Sequence, residues 1–132
     1  MRPEHLVVGS GSTMGGGDAV IADAVRFGDV VFLSGRGPVD PATLKLVADT
    51  FDEQARAVLR DIGVVLDAAG SRWDLVLRVE AYLADGADFP AWNAIWREHF
   101  TPPRPARTTV VTGFAVPGML IELQVVAGIE RD

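Results

Sequence analysis

The sequence predicts an α+β fold: one domain with a single mixed or antiparallel sheet and two helices packed on one of its faces. Three observations carry this. Apolar residues recur at helical spacing in the stretches 51–69 and 89–100. Short runs rich in valine, leucine and threonine alternate with a period of two. These runs follow one another as two strands, a helix, a strand, a second helix and two more strands, an order suited to one sheet layer and one helix layer. At 132 residues, 48% hydrophobic and 23% charged, residues 1–132 make one globular domain with enough chain to bury a core.

In chain order, residues 6–8 form a short strand, followed by the glycine-rich loop 9–17 within a flexible N-terminal segment, 1–18. Its glycines invite a phosphate-cradle reading, but the Gly-Lys-Ser/Thr ending of a P-loop is missing, so a mobile flap near a pocket is expected instead. Residues 19–27 and 30–34 flank Gly28-Asp29 as a hairpin. Gly35 and Gly37 break the pattern, and the stretch 39–42 is a turn. Thr50-Phe51-Asp52-Glu53 is a capping box, where the Thr50 hydroxyl accepts from the Glu53 amide and the Glu53 side chain reaches back. Phe51, Ala55, Val58, Leu59, Ile62, Val65, Leu66 and Ala69 line one face of the helix, and Gly70 stops it. In 75–83, Leu75, Leu77, Val79, Ala81 and Leu83 should lie under a helix, with Arg78, Glu80 and Tyr82 facing outward. Asp88 or Phe89 opens the second helix with Pro90 in its first turn, and Phe89, Trp92, Trp96 and Phe100 are its apolar stripe.

The stretch 105–126 reads as two strands joined by a Pro117-Gly118 turn, with Arg107 heading the first and Glu122 inside the second. Alternation puts Glu122 on one face with Leu120, Gln124 and Val126, opposite Ile121, Leu123 and Val125. A carboxylate in such a strand is paired, hydrogen-bonded or held neutral by a raised pKa. Arg107, with its planar fork, is a counterpart for it or the anchor of a bound anion. A structural ion pair, or a glutamate facing solvent, fits the same pattern.

With no cysteine there is no disulfide, thiolate metal site or thiol nucleophile, and His5 and His99 have no ligand-spaced companions, so no metal is expected. A net charge of −6 gives no general attraction to nucleic acid or to an anionic membrane. No stretch approaches the roughly 18 apolar residues of a membrane span and no signal segment is seen, so a cytoplasmic protein is expected.

Pro105-Ala106-Arg107, a strand, Pro117-Gly118 and Ile121-Glu122-Leu123-Gln124 together resemble the C-terminal signature of the RidA/YjgF family, the reactive intermediate deaminases. Further pieces agree in order: Val31-Phe32-Leu33-Ser34-Gly35, Val39-Asp40-Pro41, Gln54, the helix end 65–70, Asp88-Phe89 and Asn93, so that the resemblance spans residues 20 to 128. It implies a chorismate-mutase-like fold, a homotrimer with clefts between subunits, and metal-independent hydrolysis of enamines or imines of a carboxylate substrate to a keto product and ammonia, with no cofactor. It gives Arg107 the substrate carboxylate and Glu122 the placement of the hydrolytic water. Ser34, Gly35, Arg36, Asn93 and Gln124 join Arg107 as the expected substrate-binding set. Part of the family's naming history suggests a ribonuclease, against which the acidic charge argues.

The chain departs from the family pattern at Ile21-Ala22-Asp23, where deaminases carry Tyr-Ser-Gln, at Arg36, where many have glutamine, and at Gln124, where a second glutamate is usual. The archetypal substrate range is therefore in question. Two rival readings stand beside the deaminase: a non-catalytic trimer that binds small carboxylates or keto acids, and a lyase or hydrolase acting on a larger cyclic carboxylate.

Overall fold

The computed structural model describes residues 1–8 and 20–131; the glycine-rich loop 9–17 lies outside them. Six strands, β1 (Glu4–Leu6), β2 (Ala24–Phe27), β3 (Val30–Leu33), β4 (Val76–Leu83), β5 (Ala106–Val111) and β6 (Ile121–Gly128), are joined with two helices, α1 (Phe51–Ala68) after β3 and α2 (Phe89–His99) after β4. The sheet order is β1-β2-β3-β6-β4-β5. Only β4 and β5 run parallel, with α2 as their crossover; the other pairs are antiparallel. This is the α+β arrangement expected, with a mixed sheet.

Helix α1 begins where Thr50 caps it. The Thr50 Oγ1 accepts from the Glu53 amide at 3.2 Å, while its hydroxyl donates to Glu53 Oε1 at 2.8 Å, so the glutamate holds the cap by its hydroxyl. Such a cap is worth about 1 kcal/mol. Phe51, Ala55, Val58, Leu59, Ile62, Val65 and Leu66 are buried, α1 packs on β6, and Gly70 ends the helix with φ +81°. Gly28, at φ +63°, turns the β2–β3 hairpin.

Four sequence expectations are corrected. The first strand is Glu4–Leu6 and not 6–8, because the Val8 amide turns away to donate to Asp23 Oδ2 at 2.7 Å. The second is Ala24–Phe27, with residues 20–23 outside the strand and residue 19 outside the described residues. In β4 a register shift between Val76 and Arg78 inserts a residue, which buries Val76 and leaves Leu77 53% exposed. From Val79 onward the expected alternation holds. In α2, Ile95 joins Trp92 and Trp96 in the core, while Phe89 stays exposed. The Pro117-Gly118 turn links β5 to β6 along the chain, yet β4 lies between them in the sheet.

Candidate functional site

The odd residues of β6, Ile121, Leu123, Val125 and Ala127, are buried beneath α1, so Glu122, Gln124 and Val126 fall on the open face of the sheet. Three features fix where Glu122 sits. Arg36 and Leu123 exchange backbone hydrogen bonds of 2.8 and 3.0 Å, bringing the 34–37 segment alongside the start of β6. Gln54, fully buried in α1, donates from Nε2 to the carbonyls of Ala48 (3.2 Å) and Gly118 (3.0 Å) and accepts from the Leu120 amide (2.8 Å), which pins the turn leading into β6. Gly35 lies directly against the carboxylate: a Cβ there would stand 2.8 Å from Glu122 Oε2, so a side chain at 35 would displace it. Desolvation alone raises the Glu122 pKa above the ordinary carboxylate range, with no described residue offsetting it.

Beside this carboxylate opens a cavity of about 340 Å³, walled by Ile21, Val39, Leu44, Phe114, Val116 and Met119 together with Gly35 and Gly37. Arg36 and Asp61 sit on the same wall. The Arg36 guanidinium, whose side chain is 10% exposed, donates from Nε to Asp61 Oδ2 at 2.7 Å, from Nη2 to Asp61 Oδ1 at 3.1 Å, and from Nη1 to Asp23. Burial works against its charge, and the two carboxylates more than offset this, so its pKa is raised. Ser34 donates its hydroxyl to the Ala22 carbonyl at 2.6 Å. Gln124 is exposed on the open face opposite Glu80.

Arg107 belongs to a different surface. Its strand partner is Val79 and its neighbour Thr109 accepts from Trp92 Nε1 at 3.3 Å, so both side chains point to the helix side of the sheet. There Nη2 donates to Asn93 Oδ1 at 2.8 Å, and the guanidinium lies over Trp96, Phe89 and Trp92 at 5.0, 5.6 and 6.0 Å from the ring centroids. Nη1 is buried with no hydrogen-bond partner among the described residues. Desolvation, and then the neighbouring Arg97, pull the Arg107 pKa down. The guanidinium stays charged, and an anion there would satisfy Nη1 and relieve that repulsion.

Within one chain, Glu122 and Arg107 do not meet. Glu122 is level with Tyr82 and thus with Val110, three residues along β5 from Arg107, and β4 lies between the two strands. Strand geometry puts their backbones roughly 14 Å apart, with the side chains on opposite faces.

The family described as Endoribonuclease L-PSP matches residues 20–129. The chain is a member of this RidA/YjgF family. A RutC family protein of Saccharolobus solfataricus is 37% identical over 106 residues, covering 80% of this chain and 84% of that protein. The chloroplastic Reactive Intermediate Deaminase A of Arabidopsis thaliana is 33% identical over 106 residues, 80% of this chain and 57% of that protein. Among solved structures, the Rid family protein YyfA of Yersinia pestis superimposes with a TM-score of 0.83 at 26% identity, covering 97% of this chain and all of that one. RidA of an Antarctic Psychrobacter gives 0.76 at 29% identity over 84% and 89% of the two chains.

In this RidA/YjgF member, two departures from the family pattern, Asp23 and Arg36, pair with each other. Sequence reasoning missed Asp61 because it is contributed from α1, and it missed Phe114, Val116 and Met119 because they come from an irregular loop. Tyr82, directly opposite Glu122 in the sheet, carried a signal: it was legible as an outward residue of β4, and its hydroxyl donates to Glu80 Oε2 at 2.7 Å.

Proposed function

We propose that this protein hydrolyses the C=N bond of 2-imino carboxylates, releasing a keto acid and ammonia, at a site that Arg107 of one copy and Glu122 of another complete in a homotrimer. The observation that carries the reading is the half-buried Glu122 carboxylate, without an ion-pair or hydrogen-bond partner among the described residues, beside an open cavity. Membership of a family that includes a Reactive Intermediate Deaminase A supports it. So does Arg107 Nη1, a buried donor with no partner that suits a substrate carboxylate.

The chemistry asks little of the protein. A water oxygen bonds to the imine carbon while the C=N electron pair moves to nitrogen. Glu122 takes a proton from that water and passes it to the nitrogen. Glu122 then takes the hydroxyl proton of the resulting carbinolamine and gives it to the amine nitrogen as the C–N bond breaks, so that the carbonyl forms and neutral ammonia leaves. A carboxylate whose pKa burial has raised is a stronger base than an ordinary one and a competent acid for the second transfer. The separation of the two charges over two faces of one sheet supports a site shared between copies. A C3 assembly laying the β5 edge of one chain over the Glu122 cavity of the next would give three such sites.

Glu122→Gln keeps shape and hydrogen bonding but cannot exchange a proton. With imines generated in the assay from amino acids by an oxidase, turnover should fall by about 10²–10⁴ while 2-keto acid binding persists. Wild-type protein that speeds no imine above the spontaneous rate, and binds keto acids more tightly once Glu122 is neutralised, would leave the non-catalytic binder standing.

A further inference from the structure

We infer that a crevice in the helix layer, centred on His99, is a binding site for a planar aromatic carboxylate. It lies on the other side of the sheet from Glu122 and does not rest on the imine-hydrolysis reading. Three hollows of about 380, 240 and 340 Å³ meet at His99. Leu59 of α1 and Ile95 of α2, both buried, form the floor between the helices. The wall is aromatic and angular: the Trp73 ring stands at 86° to His99 and at 78° to Phe100, with centroids 4.2 and 5.5 Å apart. Such a corner takes a flat ring against one face and beside the edge of the next.

The polar groups of the crevice are unequally used. Its carboxylates are taken: Glu98 accepts from Arg56 Nη2 at 2.9 Å, and Asp74 accepts from Arg72 Nε. Its donors are left over. Arg60, exposed on α1, has no ion-pair or hydrogen-bond partner among the described residues. Trp73 Nε1 lies against Gly63, where a Cβ would stand 3.2 Å away, and donates to none of the described residues. His99 Nε2 is buried and has no partner among them. Burial pulls the His99 pKa down, with Glu98 pulling it up less strongly, so the ring is neutral at neutral pH. Arg56 and Arg60 are balanced by Asp52 and Glu98, so net charge does not draw an anion here. What selects is a group of N–H donors without acceptors beside an aromatic wall. The matching ligand brings two acceptor oxygens on a flat apolar body, and the hollows suit one of one or two rings.

The test is a titration of the whole protein with 2-naphthoate, with 2-naphthalenemethanol as the uncharged counterpart. The chain has three tryptophans and two histidines, so nitrogen–proton spectra with Trp73→Phe and His99→Phe assign the ring signals. Naphthoate should shift the Trp73 and His99 signals to saturation, and the His99 pKa should rise on binding because a carboxylate favours the imidazolium. Arg60 is exposed, so Arg60→Ala folds, and it should bind naphthoate about 10-fold more weakly, as should the alcohol in wild type, since each loses a charged hydrogen bond. Glu122→Gln and Arg107→Ala should bind as wild type does. Equal affinity for acid and alcohol, an Arg60→Ala variant that binds as wild type, or shifts that do not saturate would each overturn the site. Loss of binding in Arg107→Ala would place the anion on that arginine and overturn it too. Imine turnover plays no part in the readout, so this inference and the deaminase reading fail separately.

Discussion

The surroundings of Glu122 and of Arg107 are built on opposite plans. Glu122 is a carboxylate set among glycines and hydrocarbon, with burial raising its pKa and no ion-pair partner among the described residues. Arg107 is a cation laid on three aromatic rings, with one nitrogen satisfied by Asn93 and another left without a bond. Neither charge has an ion-pair partner among the described residues. Two charges within one chain, 15 residues apart in sequence, would be expected to neutralise each other, and the parallel placement of β5 outside β4 prevents it. Within one chain the two groups stay apart, which is the arrangement that the proposed shared site requires.

Mixing inactive variants tests the contrast most severely. Arg107→Ala and Glu122→Gln should each be close to inactive alone. Unfolded together in equal amounts and refolded, they should recover about one quarter of wild-type turnover, because one in four sites between copies then draws an intact arginine from one chain and an intact glutamate from the next. No recovery, in mixtures shown by mass spectrometry to contain both chains, would mean that each chain works alone.

A smaller effect sharpens the arginine side. If Arg107 grips a carboxylate through its fork, Arg107→Lys should weaken 2-keto acid binding almost as far as Arg107→Ala, by about 10- to 100-fold, because a single ammonium cannot reproduce two parallel bonds. Titration calorimetry that finds full affinity in the lysine variant would reduce the role of Arg107 to net charge.

The smallest effect concerns Glu122 in the folded chain. Its pKa is raised by burial, so the native protein holds this proton to higher pH than the unfolded chain does. The stability linked to this group is complete below the ordinary carboxylate pKa of about 4 and falls as pH rises through the raised value. Glu122→Gln removes that loss. The variant and wild type should melt together in acid, with the variant melting higher at neutral pH. A difference in melting temperature that does not change with pH would place the carboxylate in solvent.

How much of this was legible follows from the range of the interactions. Thr50, Gly28 and Gly70 were readable because caps and turns are decided by adjacent residues. The face of Glu122 was readable because strand alternation needs no knowledge of the partner strand. The β4 bulge was not, since Val76 and Leu77 are equally apolar and only the register against β6 chooses which is buried. The occupation of Arg36 was also hidden. Asp23 and Asp61 lie 13 and 25 residues away, and only the docking of α1 brings the three together. The split between Arg107 and Glu122 escaped because a turn between two strands suggests neighbours, whereas the sheet order is decided by which edges remain open once α2 has crossed over.

The position of β5 bears on solubility as well as on chemistry. Among the described residues it is paired on one side only, and Val110 and Val111 lie 43% and 58% exposed along it. An isolated chain would carry this row of free amides and carbonyls, flanked by β-branched side chains, into water, where it is a template for indiscriminate strand addition. Variants that loosen the proposed trimer should therefore be lost to precipitation before a monomer accumulates, and a charged residue at Val111 should be what lets the single chain be isolated.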